Sequence, residues 1–164
     1  MLFGEHSPAI DSQFRISIPA KFRNELGEQF IIVRHLKKSC LRIYSAAAWD
    51  EYITSLKGQM TRGAYEKVLY AYYRKAVQAV PDSLGRVRIP KELWESIGVS
   101  FDAGEGKDVM VIGCGEFGEI WSKAALDEYD ADFDPDELSD EIEKCGILRW
   151  ELIFRTARCC LTRL

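Results

Sequence analysis

Two arginines, Arg15 and Arg86, occupy the same place in two near-copies of one segment, and their chemistry is anion recognition. Asp11 to Phe22 reads DSQFRISIPAKF, and Asp82 to Leu93, 71 residues later, reads DSLGRVRIPKEL. Each copy runs from an acid-led turn into an arginine-bearing strand and then a proline. One D-x-x-G-R sequence says little, because Asp and Gly are common turn formers. Two copies, with I-P at the same offset, place two guanidinium forks on equivalent turns. Such a pair suits phosphate oxygens or guanine edges in a major groove. A second echo, SAAAWDEY at Ser45 to Tyr52 against SKAALDEY at Ser122 to Tyr129, matches at six of eight positions. The chain is a tandem duplication, and that fixes its architecture before any motif is interpreted.

Other candidate chemistry is weaker. Gly113-Cys-Gly-Glu-Phe-Gly118 fits G-x-G-x-x-G behind an apolar strand. A dinucleotide site needs a helix opening at those glycines, whereas Glu119 to Trp121 reads as a strand; a glycine-rich hairpin is expected instead. His6 and His35 are the only histidines, and neither sits at metal or catalytic spacing from a cysteine or carboxylate pair. Cys40, Cys114, Cys145, Cys159 and Cys160 are odd in number and lack C-x-x-C spacing, so reduced structural thiols are expected. No catalytic set, cofactor, metal or small-molecule substrate is expected, and the chain does not read as an enzyme.

The 164 residues are 47% hydrophobic, ordinary for a globular chain. No apolar run reaches a membrane span, and Met1 to Ile10 lacks the pattern of a secretion signal; a cytoplasmic protein is expected. The net charge of −4 is unevenly spread. Residues 1–80 carry 12 basic and 7 acidic side chains, and the rest carry 10 and 19. Ten acids lie between Asp127 and Glu143 with no Lys or Arg among them, which reads as a solvated, self-repelling segment. The basic first half leaves room for a local cationic surface.

The elements that must position the arginines follow from period and punctuation. Ile16 and Ile18 oppose Arg15 and Ser17, and Val87 and Ile89 oppose Arg86 and Arg88, the alternation of half-buried strands. Pro19 and Pro90 end those strands and start short helices, Ala20 to Leu26 and Lys91 to Ile97, each closed by a glycine, Gly27 or Gly98. Strands are expected at Phe30 to Val33, Leu41 to Tyr44, Val109 to Ile112 and Glu119 to Trp121. Helices should start at the N-caps Ser45 and Ser122. Thr61 to Ala76 reads as a helix, with Tyr65, Tyr70, Tyr72 and Tyr73 spaced for packing more than for base stacking, and leads into a strand at Val77 to Val80. Asp134-Pro135 breaks structure, and residues 146–164 fit neither period. The division expected is 1–80 for the first copy with its linking helix, 81–131 for the second, both in one compact domain, and 132–164 for an acidic then basic tail.

These doubled motifs, with CLRIY leading into AAWDEY and GEIWSKAALDEY closing the second copy, resemble the MraZ family of bacterial transcriptional regulators over about Met1 to Asp130. The resemblance implies an α+β, mainly β fold: a tandem, pseudo-symmetric AbrB-like swapped-hairpin β-barrel with short flanking helices. It implies binding to double-stranded promoter DNA at short direct repeats and assembly into ring-shaped homo-oligomers. It also implies control of the division and cell-wall gene cluster, including the regulator's own promoter. Carried over, Arg15 and Arg86 become the principal DNA contacts, joined by Arg88, Lys21, Gln13, Ser12 and Ser83. Asp11, Asp82, Gly85, Pro19 and Pro90 shape the turns. Phe14 departs from the pattern, standing where the second copy keeps Gly85. The rival reading is an AbrB-type antitoxin-like module whose tail binds a protein partner.

Overall fold

The computed structural model describes residues 1–101 and 108–144. Two units are distinguished, Met1–Glu128 and Tyr129–Leu164. Among the described residues the first contains eight strands and the helices between them: β1 (Leu2–His6), β2 (Arg15–Ser17), α1 (Ala20–Leu26), β3 (Phe30–Arg34), β4 (Cys40–Ser45), α2 (Ala46–Gln59), α3 (Arg62–Tyr73), β5 (Val77–Ala79), β6 (Arg86–Arg88), α4 (Lys91–Glu95), β7 (Val109–Gly115) and β8 (Phe117–Ser122). Helix α5 (Lys123–Ala131) follows, and α6 (Pro135–Lys144) belongs to the second unit.

Six strands form one antiparallel sheet in the order β1-β7-β8-β4-β3-β5, while β2 and β6 form a separate antiparallel ribbon. The fold is α+β, built on antiparallel sheet with short helices around it. The six-stranded sheet is open, with β1 and β5 at its edges, so the expected closed barrel appears only as this sheet and ribbon.

Alternation sorts the side chains onto two faces. Phe30 and Ile32 of β3, Leu41 and Ile43 of β4, Val109 and Val111 of β7 and Ile120 of β8 share a core with Ile16 and Val87 of the ribbon. Phe22 and Leu26 of α1 and Leu93 and Trp94 of α4 complete it. The alternate residues Val33 and Tyr44 pack with Trp49 and Ile53 of α2 and Tyr72 of α3. Cys40 and Trp121 take Leu126 of α5. The ribbon thus lies over one sheet face with an apolar underside, and that orientation leaves its arginine side for solvent.

Caps and turns largely follow the sequence reading. Ser45 Oγ accepts from the Ala48 amide at 3.1 Å and Ser122 Oγ from that of Ala125 at 3.3 Å. Helix α4 stops at Glu95, two residues short of the reading, as the chain turns through the Ile97 and Gly98 amides to Trp94 and Glu95 carbonyls. The glycine-rich segment is a tight hairpin: β7 runs through Gly113 and Gly115, and β8 begins at Phe117. A Cβ on Gly113 would sit 2.5 Å from the Leu2 carbonyl carbon, so the bare backbone there lets β1 approach. Strand β1 itself has no readable period, being five residues with four exposed. Of the expected tyrosines, Tyr65 and Tyr72 pack, with Tyr52 and Tyr72 hydroxyls 2.9 Å apart, while Tyr73 only edges in to accept the Trp49 indole N–H at 3.3 Å and Tyr70 stays 66% exposed.

In the second unit the acidic run is helical from Pro135 to Lys144. Proline suits the first helical position, and Asp134 Oδ1 accepts from the Asp136 amide at 2.9 Å. Asp136 and Glu137 in the first turn and Lys144 in the last complement the helix dipole. Those placements outweigh the self-repulsion that makes the run look unstructured. Cys145, Cys159, Cys160 and residues 146–164 lie outside the described residues.

Candidate nucleic-acid interface

Each motif aspartate builds its turn and then holds its arginine. Asp11 Oδ1 accepts from the amides of Gln13 and Arg15 at 2.8 and 3.0 Å, and Asp82 Oδ1 from those of Leu84 and Arg86 at 3.0 and 2.9 Å. The second oxygen takes the guanidinium: Arg15 Nε lies 2.7 Å from Asp11 Oδ2, and Arg86 Nε 2.9 Å from Asp82 Oδ2. Partial desolvation works to raise the Asp11 carboxyl, but these hydrogen bonds outweigh it and hold the group below its ordinary value. At Asp82 the amide and guanidinium of Arg86 produce the same lowering. Both carboxylates are therefore charged at neutral pH.

The ribbon joins the two turns into one site. Arg15 faces Arg88, Ile16 faces Val87 and Ser17 faces Arg86. Directly opposed residues share a face, so Arg15, Ser17, Arg86 and Arg88 line one side while Ile16 and Val87, both fully buried, line the other. Cross-contacts tie the copies together, Arg15 Nη1 to Asp82 Oδ2 at 3.6 Å and Arg86 Nη1 to Asp11 Oδ2 at 3.8 Å. The result is an alternating ring of two guanidinium and two carboxylate groups. Arg15 and Arg86 keep 25% and 32% of their side chains open, so neither prong points into the core. Among the described residues no carboxylate pairs with Arg88, which is exposed. Arg15, opposite it, is compensated by Asp11 and Asp82, so Arg88 carries the uncompensated positive charge on this face.

The turns have matching backbones but unlike residues. Phe14 has φ 60° and Gly85 φ 75°, so Phe14 adopts the left-handed conformation that glycine takes without cost. Its ring is turned inward and meets Phe101 edge-on, centroids 4.8 Å apart. Gly85 has a further constraint: a Cβ would lie 2.6 Å from Arg23 Cζ, and Arg23 is held there by Nε donating to the Ile18 carbonyl at 3.1 Å.

The remaining expected contacts are distributed around this center. Ser12, Gln13 and Ser83 are exposed on the turns. Lys21 is on α1 with its ammonium over the Phe3 ring, 4.7 Å from the centroid, so no contact joins it to the four-membered ring. Pro19 and Pro90 precede α1 and α4 at φ −53° and −54°. The sequence reading missed Leu84, which is 68% exposed beside Gly85. It also missed a groove of about 430 Å³ lined by Phe14, Val77, Arg88, Pro90, Lys91 and Glu92. Neither has a local pattern that would reveal it.

A second polar cluster lies in the large sheet. Glu119, 5% exposed, accepts from Arg42 Nε at 3.1 Å and from the Trp121 indole N–H at 3.0 Å, with Lys38 Nζ 3.7 Å away. The Arg42 guanidinium also stacks over Phe117 at 4.1 Å. Arg42 and Glu119 are directly paired across β4 and β8, which marks the cluster as a support for that pairing. Burial pushes the nearby Cys40 thiol up to about 12, so it stays protonated. Among the described residues no group of His, Cys, Asp and Glu is arranged to hold a metal, and no helix is long and apolar enough to cross a membrane.

A family model described as MraZ protein, antitoxin-like, matches residues 1–67. Relatives named transcriptional regulator MraZ include one from Alkaliphilus oremlandii, 36% identical over 90% of this chain and 100% of its own length. Another, from Caldanaerobacter subterraneus, is 34% identical over the same shares. A third, from Leuconostoc mesenteroides, is 35% identical over 80% of this chain and 88% of its own. Matches over 90% of the chain reach past Asp132, farther than the motifs alone. The chain belongs to the MraZ family of transcriptional regulators.

Proposed function

We propose that this chain regulates transcription by binding double-stranded promoter DNA through the β2-β6 ribbon. The observation that carries the reading is the register that sets Arg15, Arg86 and Arg88 on one solvent face over an apolar underside. A two-stranded ribbon fits a major groove, where guanidinium groups read guanine O6 and N7 or hold flanking phosphates. The Asp11 and Asp82 carboxylates fix each fork through its Nε, which limits the rotamer freedom lost on binding. The hydroxyls of Ser12 and Ser83, with the exposed Gln13 side chain, supply neutral contacts, since most amides of the turns are already engaged within them.

One protomer offers few cations, so its affinity should be low and strongly dependent on salt. The resemblance supplies the remedy. Protomers joined in a ring present successive ribbons to short direct repeats about one helical turn apart, making later contacts intramolecular. On this reading the targets are the division and cell-wall gene cluster and the protein's own promoter, and the work is done at the nucleoid.

Selection of bound fragments from genomic DNA with the purified protein tests this, because it reports element, spacing and target genes together. Gel shifts should then show that Arg15→Ala and Arg86→Ala each lose discrimination between the selected element and scrambled DNA while sedimenting as wild type does. A double variant that still discriminates would remove the assignment.

The antitoxin-like reading has one observation in its favor. Helix α6 exposes Leu138 and Ile142, four residues apart on one stripe, at 44% and 43%. Co-purification of a stoichiometric partner, lost when residues 132–164 are deleted, would support it.

A further inference from the structure

The ribbon is nearly two-fold symmetric in backbone and polar in chemistry. The symmetry relates Arg15 to Arg86 and Ser17 to Arg88, because the pairs Arg15↔Arg88 and Ser17↔Arg86 are images of each other about the central Ile16↔Val87 pair. Both motif arginines obey it, down to matching Nε contacts of 2.7 and 2.9 Å with their aspartates. Position 17 against 88 does not. One end of the face therefore holds two opposed arginines and the other an arginine opposite a serine. The exposed Arg88 also lines the groove formed with Phe14, Val77, Pro90, Lys91 and Glu92.

We propose that the Ser17/Arg88 difference orients the protomer on DNA, so that it reads an element without two-fold symmetry in one direction only. This rests on the ribbon being the DNA-binding surface. A symmetric fork on a duplex, itself dyad-symmetric in its backbone, binds equally well after rotation by half a turn. An additional guanidinium at one end breaks that degeneracy. It adds a charge-assisted contact to phosphate or to guanine in one orientation, and in the other it meets a position whose partner contact is a serine hydroxyl. The other charged differences on this side are already engaged, Lys91 pairing with Glu95 at 3.2 Å and Lys21 lying over Phe3, and the exposed Gln13 against Leu84 is a neutral difference that adds no charge-assisted contact. Arg88 is thus the specificity-determining residue for direction, and Arg15 and Arg86 are the contacts common to both orientations.

The test uses full-length protein with a photo-crosslinking p-benzoylphenylalanine in place of Leu84, which marks the second turn only. The probe is a duplex carrying one copy of the element obtained by genomic selection. Wild-type background should crosslink one flank of the element. Arg88→Ser should crosslink both flanks about equally and bind with a salt slope lower by about one. Ser17→Arg should also label both flanks, with a slope raised by about one. The exchange Ser17→Arg with Arg88→Ser should move the label to the opposite flank. Both side chains are exposed, so folding is retained and is verified by circular dichroism. If Arg88→Ser binds too weakly to crosslink, Ser17→Arg decides. One-flank labeling by Ser17→Arg, or an exchange variant that keeps the original flank, overturns the proposal, as does two-flank labeling by the wild type. Failure to select any element at all would instead defeat the DNA-binding reading.

Discussion

Trp94 of the second copy donates its indole N–H to the carbonyl of Phe14 in the first, 3.3 Å away and 80 residues distant in sequence. Arg23, the residue at the same position of α1, lies against Gly85 of the second copy. Each short helix therefore supports the other copy's turn. The backbone repeats the exchange, with the Ile18 amide donating to the Gly85 carbonyl and the Ile89 amide to that of Phe14, both at 3.0 Å. Neither turn is autonomous, and the placement of Arg15 relative to Arg86 rests on these contacts between the copies.

Phe14 tests how much its ring contributes against its backbone cost. The left-handed conformation costs a non-glycine residue roughly 1 to 2 kcal/mol, while the edge-on contact with Phe101 returns about 0.5 to 1.5 kcal/mol beyond burial. Phe14→Ala keeps the cost and loses the contact, whereas Phe14→Gly loses both. Either variant also loses the packing of the ring against the core, so we expect both to be less stable than wild type, with Phe14→Ala below Phe14→Gly by roughly 1 kcal/mol. Urea unfolding of the three proteins gives the order; an alanine variant as stable as the glycine variant would mean the turn relaxes.

Gly85 is more constrained. Gly85→Ala should cost roughly 1 to 2 kcal/mol from φ alone, plus the displacement of Arg23. The second part is recovered in Gly85→Ala with Arg23→Ala, so a double-mutant cycle should show coupling of at least about 0.5 kcal/mol. Purely additive effects would show that Arg23 swings away freely.

The turns, the ribbon strands and the caps at Ser45 and Ser122 are legible in the sequence because each is fixed by neighbors within a few residues. The pairing of β2 with β6 is not, since it joins residues 71 apart and the echo shows that two segments are alike, not that they touch. Arg88 is readable as a contact, yet its cross-strand position opposite Arg15 depends on register. Glu119 looks like one strand acid among many; its partner Arg42 is 77 residues away, and burial of an ion pair leaves no mark on local period. Helix α6 is hidden by its charge density, and only the order of charges along the segment discloses it.

His35 makes stability depend on pH. Burial first, then the charge of Arg42, lowers its imidazole to about 4, and Nδ1 accepts from the Lys37 and Lys38 amides at 3.0 and 2.9 Å. In the unfolded chain the group titrates near 6.5. The unfolded state thus binds more protons between those values. This contribution is complete above about pH 6.5 and is lost as pH falls toward 4, with an upper bound of about 3 kcal/mol that solvent access reduces. His35→Asn should flatten the stability profile over that window in urea melts at stepped pH; an unchanged slope would place the proton elsewhere.

Glu119 separates the worth of an ion pair from the cost of breaking it. Glu119→Leu leaves Arg42, with 16% of its side chain open, without its counter-charge, and should destabilize by about 3 to 5 kcal/mol. Adding Arg42→Met removes the stranded charge, so much of the loss should return even though two native residues are gone. Recovery should stop short of wild type by about 1 kcal/mol or more, because the hydrogen bond from the Trp121 indole N–H to Glu119 is lost as well. If Glu119→Leu alone costs under about 1 kcal/mol, the cluster behaves as a solvated surface pair and the β4-β8 pairing stands on its apolar contacts.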